Sequence, residues 1–133
     1  MPPEGEASLP PNAEAASASG DYEAMAAALR SAASATSGWV AASLRRRAAS
    51  ASRRARDFDG ASATLRSVVD AFPRYGAALL ELALVALDDD RPVEAIRTLR
   101  QLHAIDRDWP LLRAWMVRAQ VRVHRVKDSP RRR

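Results

Sequence analysis

Apolar residues recur at helical spacing along most of this chain, and the pattern is clearest over residues 57–107. Ala61, Leu65, Val68, Val69 and Phe72 form one stripe, and Val93, Ala95, Ile96, Leu99, Leu102 and Ile105 form another. Between them Leu79, Leu82, Ala83 and Ala86 share a face with Leu80, Leu84 and Leu87 beside it, so this helix is apolar nearly all round and belongs at the centre of the fold. Asp57-Phe58-Asp59-Gly60, Phe72-Pro73 and Asp88-Asp89-Asp90 punctuate the stripes. The outer two stripes share a register: Ala61, Leu65, Arg66 and Val68 return as Ala95, Leu99, Arg100 and Leu102, at a constant spacing of 34. A fixed period of that size predicts stacked helix-turn-helix units.

The flanks extend the pattern. Asp21 caps a first helix over 20–34, with Met25, Ala28 and Leu29 on its apolar side. A second helix over 38–56 places Val40, Ala41, Leu44, Ala48, Ala51 and Ala55 on one arc. Arg45, Arg46, Arg47, Arg53, Arg54 and Arg56 take the other. Trp39 falls by angle among these arginines, either as a cap over the helix start or as an exposed anchor. Asp57 or Asp59 opens the third helix, Tyr75 to Asp88 the fourth, and Asp90 caps the fifth ahead of Pro92. Asp108 caps a sixth, from about 109 onward, whose face is Leu111, Leu112, Trp115, Met116, Ala119 and Val123. Residues 1–19, rich in Pro, Ser, Ala and Glu, read as a disordered tail with room for a short helix. The expected division is that tail, a helical domain over 20–126 and a basic tail over 127–133.

Composition supports an all-α fold. Hydrophobic residues make up 47% of the chain but only 5% are aromatic, and alanine, which favours helix but buries little area, dominates. No alternating Val- and aromatic-rich run has strand length. The net charge of +5 conceals a segregation. Residues 1–35 carry one Arg against five acids, and 36–56 six Arg and no acid. Residues 57–109 carry six Arg against ten acids, and 110–133 eight basic residues against one acid. Such blocks either neutralise one another in packed neighbours or form basic patches for an acidic partner.

Little in the chain suggests catalysis. The absence of cysteine excludes disulfides, thiolate zinc sites and a thiol nucleophile. His103 has no second histidine or cysteine near it, and Asp88-Asp89-Asp90 reads as helix punctuation rather than a cation site. No Gly-rich phosphate loop or other cofactor motif is present, and no convergent acid, base and nucleophile can be assembled. No apolar run approaches the roughly 18 residues of a membrane span, and no basic-then-apolar leader opens the chain, so a cytoplasmic location is the expectation.

The repeat resembles the tetratricopeptide family. Ala83 and Ala95 resemble its small crossing pair, with Leu79, Leu82 and Ala86 inside one helix and Leu99 and Leu102 inside the next. Asp57-Phe58 through Ala61, Leu65 and Val68 to Pro73 is similar to the second helix of a preceding unit. Gly20-Asp21-Tyr22-Glu23 resembles the same turn one unit earlier, and Leu29-Arg30-Ser31 aligns with Leu65-Arg66-Ser67 at a spacing of 36. The chain departs from the family at Pro92, where an aromatic is usual, and at Arg107, where a proline is usual. The second helix is also longer than the family's and lacks its aromatics.

The resemblance implies a right-handed stack of antiparallel helix pairs, here about six helices: a lone second-type helix, two pairs and a lone first-type helix. Either terminal half-unit could be closed by self-association or by a partner. It further implies a scaffold that binds a protein or peptide in a concave groove lined by the second, fourth and sixth helices. The candidate lining is Arg46 and Arg53, then Leu80, Glu81, Leu84, Leu87 and Asp88, then Arg113 and Gln120. Arginines at both ends and leucines between them suit an apolar peptide with acidic flanks. The Lys/Asn set with which some members clamp a terminal carboxylate is missing. The alternative is nucleic acid or another polyanion on the Arg-rich helices, which the acidic centre opposes.

Overall fold

Three turns of this chain share one backbone geometry, and the helices follow from them. The computed structural model describes residues 9–128. They form seven helices and no strand: α1 (Pro11–Ser19), α2 (Tyr22–Ser34), α3 (Gly38–Arg54), α4 (Phe58–Ala71), α5 (Gly76–Asp88), α6 (Pro92–Ile105) and α7 (Leu112–Asp128). After α1, α3 and α5 the chain passes through a left-handed residue, Gly20, Arg56 or Asp90, with φ of 75°, 65° and 59°. The next amide, of Asp21, Asp57 or Arg91, donates back to the carbonyl of Ala16, Ser52 or Ala86 at 2.9, 2.8 and 2.7 Å. This closure satisfies a carbonyl that the helix end leaves unpaired and turns the chain sharply. Asp21 and Asp57 then cap α2 and α4, accepting from the amides of Ala24 and Gly60 at 3.0 Å. At the third turn Asp90 is the left-handed residue and not the expected cap. Arg91 stands in the cap position with no side-chain bond, and Pro92 begins α6 where no amide donor is needed.

The N-terminal stretch departs from the expected tail. Residues 11–19 are helical, with Ala13 and Ala16 buried. Ala13 packs with Leu29 and Ala33 of α2 and with Leu44 and Ala48 of α3. Alanines carry no large-residue stripe to betray such a helix, yet they favour it intrinsically and permit close approach. Because α1 ends in the same turn as α3 and α5, it is the first helix of a unit. The expected lone helix is therefore paired, giving three pairs followed by α7. Residues 1–8 and 129–133 of the two expected tails lie outside the described residues, and Lys127 and Asp128 belong to α7.

Each helix packs on the next, and α3 also contacts α5, so the described residues form an all-α stack of helix pairs. As its all-round apolarity predicts, α5 sits between two cores. Leu79, Ala83, Ala86 and Leu87 pack with Leu99, Leu102, Leu112 and Ala119. Ala78 and Val85 pack with Leu65 and Val68 on the other side. Ala61, Ala83 and Ala95, the small residues of the repeat, are all 0% exposed.

A ladder of rings runs along the starts of the first-type helices. Trp39 lies 4.3 Å from the Tyr75 ring and meets Phe72 edge-on at 5.6 Å, so it is a packed residue and not an exposed anchor. Trp109, one repeat beyond Tyr75, covers Gly76. A Cβ on Gly76 would stand 2.5 Å from the Trp109 ring. Gly76→Ala is therefore expected to destabilise the fold by about 1–3 kcal/mol in urea unfolding, despite alanine's better helix propensity. The loss should shrink in a Trp109→Leu background, where the ring that obstructs the methyl is gone.

Candidate partner-binding face

Helices α3, α5 and α7 are the first helices of successive units, and the repeat register decides which of their side chains share a face. On α5 one side is buried under α6 and another against α4, which leaves Leu80, Glu81, Leu84 and Asp88 half-buried or exposed. The equivalent residues are Arg46, Arg47, Ser50 and Arg54 on α3, and Ala114, Trp115, Arg118 and Arg122 on α7. The α3 set comes together independently of this arithmetic. With Leu9, Tyr22, Met25 and Ala51 it lines a depression of about 180 Å³.

Three of the candidate residues meet as an internal bridge. Arg53 on α3 donates to Glu81 at 3.4 Å and to Asp88 at 3.0 Å on α5. The Arg53 and Glu81 side chains are only 19% and 14% exposed, so this pair works in a weakly screened setting and ties the two helices together. Arg46 is also engaged, its Nε donating to the Tyr75 hydroxyl at 2.9 Å. The two arginines expected to await a ligand are thus held by the fold itself. Leu80 and Leu84 stay on the open strip, packed from beneath by the α5–α6–α7 core.

Three candidates move off the strip. Leu87 is 4% exposed and belongs to the core under α6. Arg113 and Gln120 are exposed, but they are the equivalents of Leu79 and Ala86, the side of α5 that α6 covers. Helical angle alone could not separate that side from the groove, because nothing in the sequence shows which side of α7 α6 takes. Trp115 and Arg118 stand in their place, with the Arg118 guanidinium 5.0 Å above the Trp115 ring. Carrying the repeat register from Leu80 and Leu84 into α3 and α7 would have found Ser50, Arg54 and Arg118.

Where the charge blocks meet, Arg53 pairs with Asp88 at 3.0 Å and Arg122 with Asp90 at 3.5 Å, while Asp89 takes Arg91 of its own block at 3.0 Å. Arg54 lies 5.5 Å over Tyr22 and Arg56 5.0 Å over Phe58. Among the described residues no three His, Cys, Asp or Glu side chains are placed to hold a metal ion, and no helix is long and apolar enough to cross a membrane.

A family model described as tetratricopeptide repeat matches residues 52–121, more than half of the 133 residues. The match runs from the last turn of α3 into α7. No curated protein matches the chain.

If Arg53 ties α3 to α5, Arg53→Met should lower unfolding free energy by about 1–2 kcal/mol, because Glu81 then loses its partner while half-buried. Adding Glu81→Gln should recover part of that loss in a double-mutant cycle.

Proposed function

Because the chain belongs to the tetratricopeptide repeat family, we propose that it is an adaptor holding a peptide segment of a partner protein along the α3–α5–α7 face. Members of this family are typically scaffolds rather than catalysts. The observation that carries the reading is the state of the strip's centre. Leu80 and Leu84 are only half covered, while the acids beside them, Glu81 and Asp88, are already bound to Arg53. That centre offers apolar area next to two carboxylates that share one guanidinium, which halves their net charge. Apolar peptide side chains would take Leu80 and Leu84, and acidic flanks would turn toward the basic depression on α3 and toward Arg118.

Polyanion binding has less support. It needs a continuous run of arginines available to phosphate, and at the middle of the α3–α5 face Arg53 is already taken by Glu81 and Asp88, two carboxylates that would repel phosphate.

Linear peptides selected by panning a displayed library on the full chain should contain apolar residues flanked by Asp or Glu. Leu84→Glu should weaken their binding at least tenfold, with the variant still folded by circular dichroism. Affinity should change modestly between about 50 and 200 mM salt, against the 10³–10⁵-fold loss typical of proteins that neutralise six to ten phosphates. A steep salt dependence together with tight DNA or RNA binding would replace the peptide reading with the polyanion one.

A further inference from the structure

α7 carries a face that its equivalent on α5 does not leave open. It packs back on the stack through Leu112 and Ala119, 3% and 0% exposed, which lie one repeat beyond Ala78 and Val85. On α5 the opposite side, Leu79, Ala83, Ala86 and Leu87, is covered by α6 to 4% exposure or less. The same positions on α7 are Arg113, Val117, Gln120 and Val121. All four are exposed, the valines by 53% and 46%. At 100° per residue Arg113 and His124 border the two valines on one side, and Ala114 followed by Arg118 and Arg125 on the other.

A second position bears on the same face. Glu94, in the first turn of α6, is held by Arg91 and also reaches Arg66 of α4 at 3.8 Å, so the covering helix brings an acid near the arginine of the preceding pair. Arg100 is the equivalent of Arg66 in the next unit. It is exposed and has no ion-pair partner among the described residues.

We propose that this face of α7 receives an amphipathic helix from a partner protein, in the place that α6 takes against α5, with an acid in its first turn for Arg100. The charge pattern selects that occupant. A covering helix would desolvate Arg113, which then requires a carboxylate opposite it. A second copy of α7 would instead set Arg113 and Arg125 against their own counterparts. Residues 127–133 carry four basic residues against one acid, the wrong charge for Arg113 and Arg100. The surface is separate from the Leu80–Leu84 strip and does not depend on how that strip is used.

The test pans a library of helix-forming peptides, each about five turns long, on the full chain and measures the recovered peptides by fluorescence anisotropy. The expected winners place apolar residues at i, i+3 or i+4, and i+7 beside Glu or Asp. Val121→Asp and Arg100→Glu should each weaken their binding at least tenfold, while Leu84→Glu leaves it unchanged, which separates this surface from the groove. A winner remade with Lys for its first-turn acid should prefer the Arg100→Glu protein to wild type. Since Val121 and Arg100 are exposed, both variants should melt like wild type. Winners without acids, or winners indifferent to Val121→Asp, would overturn the proposal. So would sedimentation of the wild-type chain as a dimer that Val121→Asp dissociates, because the face would then belong to a second copy.

Discussion

The architecture depends on one backbone constraint used three times: a left-handed residue followed by an amide that bonds back to the end of the preceding helix. At Gly20 this conformation carries no steric penalty, whereas at Arg56 and Asp90 it opposes the intrinsic preference of an L-residue. It persists there because the packing on either side over-determines it. Ala61 of α4, and Ala83 and Ala95 of α5 and α6, are fully buried beside these turns in sequence, and the turns hold the helices that carry them together. Once each turn is set, side chains one repeat apart occupy equivalent sites, as Tyr75 and Trp109 do at a spacing of 34, while Trp39 meets the Tyr75 ring from 36 residues away.

The charge distribution is best understood through that geometry. Six arginines without an acid over residues 36–56 would repel one another along an isolated helix. In the stack the arginine-rich α3 lies against α5, whose Glu81 and Asp88 receive Arg53. Arg122 of α7 likewise returns to Asp90 and to the Leu87 carbonyl at the far end of α5. Segregated blocks in the sequence thus become paired charges between neighbouring first-type helices. That pairing leaves a half-covered leucine pair at the centre of the strip, and it is why an adaptor reading is preferred to a polyanion reading.

The same register that organises the core also distinguishes surfaces that look alike on a helical wheel. Arg113 and Arg118 are both exposed arginines on α7, less than two turns apart. The first lies on the side that corresponds to α6's position on α5, and the second lies on the strip of Leu80 and Leu84. Among the described residues α7 follows three pairs, and it therefore presents two kinds of surface, one along the strip and one on the side that α6 takes on α5.

The sequence by itself determined the all-α class, the repeat spacing, the helices built on large apolar residues and the cap at Asp21, and it narrowed the next cap to Asp57 or Asp59. Each of these is a local property: apolar spacing, turn chemistry and a carboxylate within reach of an amide three residues on. Only the tertiary structure decided that residues 11–19 join the stack, since a helix of alanine, serine and asparagine is stabilised by what it packs against and carries no stripe of its own. It likewise decided that Arg53 binds Glu81 and Asp88, that Leu87 lies inside, and that α6 covers the side of α5 to which Arg113 and Gln120 correspond. A helical wheel orders side chains only about their own axis. Which neighbour covers each arc, and how far an arginine reaches to an acid 28 or 35 residues away, is settled when the helices pack.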